Sequence, residues 1–132
     1  MSATPTRDTV IGYIDALNLG EPETIAAWVT PDFCNEHTSA LGSSLRGRDA
    51  YRERLPQFLG RFRGLRYDIE DLLVDHDRAS VRYRMTCRWA GDDGVKHPVA
   101  IRGMFWFLVR DGLIAHRIDY WDGTEFTRQV SG

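Results

Sequence analysis

In the first half of the chain, apolar residues recur every three or four positions, a spacing typical of helices that bury one face. The first helix is expected to begin at Pro5, because proline suits the first helical turn, and to end at Asn18-Leu19-Gly20. A short second helix follows Glu21-Pro22, and a third begins after Gly47. Pro56 lies inside the third helix, and its missing N–H and rigid ring are expected to bend or break that helix.

In the second half, apolar and polar residues alternate, and this period of two is typical of strands with one buried face. Residues 38–46, rich in serine and glycine, are expected to form a loop before the third helix. A short helix is expected at 124–129, after the last strand. The strands themselves are expected at 33–37, 65–70, 80–89, 98–109 and 114–121.

Helices followed by a meander of antiparallel strands indicate an α+β fold. The 132 residues have the length of one domain, expected to span 1–132 with helices within 5–62 and the main strands within 65–122. A curved sheet around helices forms a cone with an internal pocket. The strand at 98–109 is apolar on both faces, so the outer face of the sheet is expected to be covered by a second subunit in a homodimer.

The charges nearly balance, with 17 basic and 19 acidic residues and a net charge of -2. Nucleic-acid-binding proteins carry a basic excess and anionic membranes attract basic patches, so neither partner is expected. No apolar run approaches the roughly 20 residues of a membrane span, and the first residues lack the apolar stretch of a secretion signal. Two cysteines, Cys34 and Cys87, are too few for a disulfide framework, so a cytoplasmic protein with reduced thiols is expected.

The sequence shows no motif for a metal or a cofactor. No group of histidine, cysteine and acidic residues has the spacing of a metal site, and no glycine-rich loop has the spacing of a phosphate-binding loop. Neither a metal nor a cofactor is therefore expected. The four tryptophans, five tyrosines and six phenylalanines could line a ligand cavity as well as fill a core.

Several local stretches resemble one superfamily in their order along the chain. They are Val10–Asn18, Leu45–Ala50, Arg102–Phe105, Arg110–Ile114 and His116–Asp122. Together they resemble the nuclear transport factor 2-like superfamily, and in particular its SnoaL-like polyketide cyclases, limonene epoxide hydrolase and ketosteroid isomerase. The resemblance implies a cystatin-like α+β barrel, in which a cone-shaped, mostly antiparallel sheet wraps around the N-terminal helices and encloses a pocket.

The same resemblance implies candidate catalytic residues. Asp119 falls where the cyclases and the hydrolase carry their catalytic carboxylate, which would serve as a general base. Asn35 and His37 alternate onto one face of their strand, and they fall where the hydrolase holds its water. His37 also falls where the isomerase carries its base, and an imidazole pKa near neutrality would let it supply a proton.

A third strand contributes Arg84, which falls on the arginine of the hydrolase. Arg84 alternates with the apolar face of its strand, so the pattern alone places it in solvent and only the resemblance turns it inward. Thr86 stands where the hydrolase has a second aspartate, so epoxide hydrolysis would lack its usual acid unless His37 replaced it. Phe105 stands near the oxyanion-hole acid of the isomerase and cannot donate a hydrogen bond.

The pocket is expected to bind a small apolar molecule. Its expected lining residues are Trp121, Phe105, Trp28, Phe58, Phe62, Thr86 and Ile101. The first hypothesis is a cofactor-independent enzyme that uses acid–base chemistry to cyclise, dehydrate or isomerise a cyclic or polyketide-like substrate. Two alternatives stay open: an epoxide hydrolase that activates water, and a non-catalytic binding protein in which Asp119 is an ordinary strand-end aspartate paired with Arg117 or Arg84.

Overall fold

The computed structural model describes residues 5–131 as four helices and one six-stranded sheet. The helices are α1 (Pro5–Leu19), α2 (Pro22–Ala26), α3 (Arg48–Arg61) and α4 (Gly123–Val130). The strands are β1 (Val29–His37), β2 (Leu45–Arg46), β3 (Phe62–Asp75), β4 (Arg78–Ala90), β5 (Lys96–Arg110) and β6 (Leu113–Trp121). Within residues 5–131, no helix is both long and apolar enough to cross a membrane.

The sheet has the order β2-β1-β6-β5-β4-β3, and its neighbouring strands are antiparallel except for the parallel pair β1 and β6. Register shifts in the β3–β4 and β5–β6 pairs mark irregularities that increase bend and twist. The edge strands β2 and β3 do not pair with each other, so the sheet is curved but stays open. The expected α+β class and the curved, mostly antiparallel sheet are confirmed.

Several local features differ from the sequence expectations. Strand β3 (Phe62–Asp75) is longer at both ends than the expected 65–70. Strand β1 begins at Val29, before the expected start at Phe33. The expected loop at 38–46 contains β2, whose two residues pair with β1. Helix α3 continues through Pro56, so the predicted break does not occur. The lost hydrogen bond is that of the Arg52 carbonyl, four residues before Pro56, and Pro56 itself is exposed on the helix surface.

Helix α1 lies across the concave face of the sheet and forms the core with it. Its fully buried residues are Val10, Tyr13, Ile14 and Leu17, and the strands contribute Val81, Tyr83, Phe105 and Phe107. Each such side chain contributes about 1.5–3 kcal/mol when it leaves water. The spacing of α1 and the alternation of β4 and β5 therefore stabilise each other through one shared apolar layer.

The end of α1 is attached to β3 by the side chain of Asn18. Its Nδ2 donates to the Tyr67 carbonyl oxygen at 3.0 Å, and its Oδ1 accepts from the Tyr67 N–H at 2.7 Å. The attachment lies just beyond the register shift of β3 between Arg63 and Arg66. Asn18 therefore fixes the part of β3 that carries the buried Tyr67 ring.

We expect Asn18→Ala to lower the free energy of unfolding by about 1–3 kcal/mol, because both backbone groups of Tyr67 lose their partner. Asn18→Asp keeps the acceptor and loses the donor, so its stability should lie between those of wild type and Asn18→Ala. The matched control is Leu19→Ala at a side chain that is 76% exposed, with an expected change below about 0.5 kcal/mol. Urea denaturation measures all three, and wild-type stability of Asn18→Ala would contradict the attachment.

Candidate active site

Strand β6 presents every second side chain to the concave face, which places Arg117, Asp119 and Trp121 in one row. The parallel strand β1 lies beside it with Asn35 opposite Arg117 and His37 opposite Asp119. The structure therefore brings together the predicted residues Asn35, His37, Asp119 and Trp121. These four side chains share one face because side chains along β1 and β6 alternate between the two faces of the sheet.

These residues border a cavity with two adjacent lobes. The outer lobe has a volume of about 230 Å³ and the inner lobe about 50 Å³. Asp119 lines the inner lobe, while Asn35 lines the outer one. The residues that line both lobes are His37, Phe58, Phe62, Arg117, Trp121 and Phe126. The wall shared by the two lobes is therefore mostly aromatic, and its polar members include Arg117 and His37.

Asp119 is 5% exposed and accepts one side-chain hydrogen bond. The Tyr83 hydroxyl donates to its Oδ1 at 2.6 Å. Burial raises the pKa of Asp119 from 3.8 to about 6, although the charge of Arg117 and the Tyr83 hydrogen bond both oppose the rise. The carboxylate is therefore more basic than a solvated aspartate and still mostly ionised at neutral pH.

Arg117 is 6% exposed, and its guanidinium is held by neighbours from other elements. Its Nε and Nη2 donate to Asn35 Oδ1 at 3.1 and 2.8 Å, and its Nη1 donates to the Tyr13 hydroxyl at 2.9 Å. The Tyr13 and Tyr51 hydroxyls are 2.6 Å apart and share a hydrogen bond. The guanidinium also lies 5.1 Å from the centre of the Phe105 ring. Arg117 is thus a fixed positive charge at the inner end of the cavity.

His37 is neutral in this environment. Burial, followed by the charges of Arg117 and Arg54, lowers its pKa from 6.5 to about 3. The Trp121 Nε1–H donates to His37 Nδ1 at 3.3 Å, so the neutral ring carries its proton on Nε2. His37 Nδ1 is 3.8 Å from Asp119 Oδ2, and no ion pair forms while the ring is neutral. The pKa near neutrality expected for His37 is therefore not found, because burial beside two arginines disfavours a further positive charge.

Arg84 lies outside the cavity, contrary to the expectation drawn from the resemblance. In β4, Tyr83 and Met85 are buried on the concave face, so Arg84 between them is exposed on the outer face. Thr86 shares that outer face and does not line the cavity. Apolar burial decides the orientation, since turning the strand over would expose its whole apolar row and bury arginines.

The expected pocket walls divide into two groups. Phe58, Phe62, Ile101 and Trp121 line the cavity. Trp28 instead packs on α1, where a Cβ added at Gly12 would lie 2.2 Å from its ring. Phe105 is fully buried behind the cavity, with its ring against Tyr67 and Tyr83. Neither Trp28 nor Phe105 therefore borders the ligand space.

Tyr83 and Arg117 are site residues that the sequence analysis did not select. Arg117 had a visible signal, because it stands two residues before Asp119 and so shares its face. For Tyr83 the signal in the sequence was weaker. It was Gly103, which is the register partner of Tyr83 on β5. A Cβ at Gly103 would lie 2.4 Å from the Tyr83 hydroxyl oxygen. The missing side chain therefore makes room for the phenol beside Asp119.

The arrangement can remove a proton and stabilise a negative oxygen. Among residues 5–131, Asp119 is the one carboxylate that lines either lobe, and Arg117 supplies a charge beside it. Three metal-ligating side chains come together in one place within these residues, at Cys34, Glu36 and His116, on the outer face of the sheet. The cavity itself therefore offers acid–base groups rather than a metal-ligand set.

The chain is similar in structure to a protein described as a SnoaL-like polyketide cyclase from Shewanella denitrificans OS-217, with a TM-score of 0.87, 16% identity and 98% of both chains covered. A protein described as a polyketide cyclase from Xanthomonas campestris pv. campestris has a TM-score of 0.77 and 23% identity over 96% of both chains. TerC, co-crystallised with polyporic acid, has a TM-score of 0.81 and 17% identity over 98% of this chain and 100% of its own. At these identities the similarity establishes a shared fold.

No curated protein matches the chain significantly in sequence. The family model of the SnoaL-like domain, in contrast, matches residues 10–117, which is most of the chain. Asp119 lies just beyond the matched residues, so a role for it depends on the geometry of the site. The expected nuclear transport factor 2-like fold is confirmed. The chain belongs to the SnoaL-like domain family.

Proposed function

We propose that this protein is a cofactor-independent enzyme that performs acid–base chemistry on a small, largely apolar substrate, with Asp119 as general base. The observation that carries the proposal is a single carboxylate, 5% exposed, at the inner end of an aromatic cavity. Its pKa of about 6 lies close to the pH at which it would work, and a base is most effective under that condition. Membership of the SnoaL-like family and structural similarity to polyketide cyclases support the same class.

Tyr83 occupies Oδ1 of Asp119, which leaves Oδ2 for the substrate. In the proposed reaction, Oδ2 takes a proton from a carbon next to a substrate carbonyl, and the electron pair moves onto the carbonyl oxygen as an enolate. The enolate carbon then attacks a second carbonyl, and a carbon–carbon bond closes the ring. Protonated Asp119 returns its proton to the new alkoxide, so the enzyme ends unchanged.

Arg117 is the group that stabilises the enolate in this proposal. It lines the same lobe as Asp119, and its charge is more effective in a dry site than in water. Its hydrogen bonds to Asn35 and Tyr13 hold it in place before substrate binds. Asn35 is therefore proposed as a positioning residue that acts through Arg117, and the neutral His37 as a hydrogen-bond donor through Nε2–H.

The cavity favours a compact, cyclic or polyketide-like substrate. Its walls are aromatic side chains from α3, β6 and α4, namely Phe58, Trp121 and Phe126. Flat rings stack well on such walls, and the polar groups at the inner end orient one carbonyl. The structurally similar protein TerC was co-crystallised with polyporic acid, which supports a ring-containing small molecule as the ligand class here.

Epoxide hydrolysis has less support from this geometry. That chemistry needs an acid to protonate the epoxide oxygen while a second group activates water. Thr86 lies on the outer face, His37 is neutral, and Asp119 is the one carboxylate bordering the cavity within residues 5–131. The binding-protein alternative makes a different prediction, because ligand binding without chemistry would not depend on a base.

Proton abstraction can be measured without knowing the complete reaction. We expect wild-type protein in D₂O to exchange α-hydrogens of bound cyclic aryl ketones or β-diketones, detected by NMR as loss of the α-proton signal. Asp119→Asn should lower the exchange rate by about 10²–10⁴-fold, because it removes the base. Asp122→Asn is the matched control, since Asp122 is exposed and caps α4, and asparagine caps a helix equally well.

The outcomes separate the three hypotheses. Exchange that survives in Asp119→Asn would contradict Asp119 as the base. Ligand binding, followed by tryptophan fluorescence, with no exchange in the wild type would support a binding protein instead. Solvent oxygen-18 appearing in a diol from an epoxide panel would support epoxide hydrolysis.

The raised pKa of Asp119 also makes stability depend on pH. Between about pH 4 and 6 the native carboxyl binds more protons than the unfolded one, whose pKa is near 3.8. Native stability should therefore fall as pH rises through this window, by on the order of 3 kcal/mol from Asp119 alone. Asp119→Asn does not titrate, so its stability should rise relative to wild type over the same range and then stay level above about pH 7.

Urea denaturation at pH 4, 5, 6 and 7 measures this difference. Other titrating groups are shared by both proteins and largely cancel. Asp122→Asn serves again as the control and should follow the wild type. A difference between wild type and Asp119→Asn that does not change with pH would show that Asp119 has an ordinary pKa.

The homodimer belongs to the same proposal. Met104 and Tyr120 are register partners on the outer face of β5 and β6, and they are 41% and 48% exposed. A second copy packed there would remove this apolar surface from water. We expect sedimentation equilibrium to give twice the chain mass of 15.1 kDa for wild type and a monomer for Met104→Glu; a monomeric wild type would contradict the homodimer.

A further inference from the structure

On the outer face of the sheet, away from the cavity, three possible metal ligands converge from β1 and β6. The parallel register places Cys34 beside His116, and alternation puts Glu36 on the same face as Cys34. The Sγ of Cys34, a carboxylate oxygen of Glu36 and a ring nitrogen of His116 all lie within 4.8 Å of one another. All three side chains are half-buried, so an ion can reach them from solvent.

Two contacts already orient the histidine toward this point. His116 Nε2 is 2.6 Å from Glu36 Oε1. The Trp106 ring of β5 packs edge to face on the imidazole, with the ring centres 5.5 Å apart and an interplanar angle of 88°. The ring plane is therefore set by packing before any ion binds, which lowers the entropy cost of ligation.

We propose that Cys34, Glu36 and His116 form a zinc site on the outer face of β1 and β6. A thiolate, an imidazole and a carboxylate are the ligand types that Zn²⁺ takes in proteins, and three of them leave a fourth position for water. Soft sulfur and the absence of further carboxylates in the group disfavour Mg²⁺ and Ca²⁺, which prefer all-oxygen sites.

The distances require only small movements of side chains. Ligand atoms around a tetrahedral zinc ion lie roughly 3.3–3.6 Å apart, given the usual zinc–ligand bond lengths. The His116 and Glu36 atoms, now 2.6 Å apart, would separate by roughly 0.7 Å, and the sulfur would close in. Both changes are small rotations of half-exposed side chains. Binding releases the thiol proton to solvent, and a neutral His116 that ligates through Nε2 keeps its ring proton on Nδ1.

Neighbouring charge does not block the site. Arg46 is the register partner of Cys34 on the edge strand β2 and shares the outer face. Its positive charge opposes a cation at the site. Arg46 is exposed, so water and salt screen its charge.

The zinc site is independent of the proposed catalytic cavity. Asp119 and Arg117 lie on the opposite face of β6, because His116 alternates with them. Zinc would instead join β1 to β6 directly, and these two strands carry His37, Arg117 and Asp119 of the inner lobe. Its predicted effect is on stability, since an ion that binds only the folded chain raises the unfolding temperature.

Titration with Zn²⁺, followed by calorimetry, and with Co²⁺, followed by absorbance, tests the proposal on the whole chain. We expect one ion per chain and a thiolate-to-cobalt charge-transfer band in the near ultraviolet. Cys34→Ser should abolish that band, and both Cys34→Ser and His116→Gln should weaken zinc binding by roughly tenfold or more. Cys87→Ser, which changes the buried cysteine on the concave face, is the matched control and should keep both band and affinity.

Two further measurements keep the test decisive if one variant folds poorly. Circular dichroism without metal checks each fold, and Zn²⁺ should raise the unfolding temperature of wild type, Cys87→Ser and Asp119→Asn but not of His116→Gln. A wild-type protein that binds no zinc, or a Cys34→Ser variant that binds it as tightly as wild type, would overturn the proposal. Retained binding in Asp119→Asn separates this result from any outcome for the catalytic base.

Discussion

Burial of two opposite charges, Arg117 and Asp119, on one strand imposes most of the requirements that the rest of the structure meets. Removing each charge from water costs several kcal/mol unless hydrogen bonds replace the lost solvent. Those bonds come from Tyr13 on α1, Asn35 on β1 and Tyr83 on β4. Helix, parallel strand and antiparallel strand must therefore all be in place before the polar end of the cavity exists.

The sequence predicts the part of this site that follows from alternation along single strands. Asp119 and Trp121 share a face, as do Asn35 and His37, and the structure places all four around one cavity. Arg84 shows the limit of a resemblance between families. The apolar alternation of β4 already indicated that Arg84 faces solvent, and burial of its apolar neighbours outweighs correspondence with a residue of another enzyme.

The remaining features depend on contacts that no local pattern marks. The hydrogen bond of Arg117 to Tyr13 joins residues 104 positions apart, and that of Tyr83 to Asp119 joins residues 36 apart. Both require the strand order and register of the folded sheet. The charge state of His37 likewise follows from its burial beside Arg117 and Arg54, and a sequence shows neither. Composition therefore indicated an aromatic pocket, while its electrostatics emerged only from the fold.

The two faces of the β1–β6 pair carry side chains with different proposed roles. A buried carboxylate with a raised pKa destabilises the native state once it ionises, so its position is better explained by chemistry than by folding. On the outer face, Cys34 and His116 lie across the same pair and could hold it with a metal ion without entering the cavity. Alternating side chains thus let one strand pair place the proposed base on one face and the proposed zinc ligands on the other.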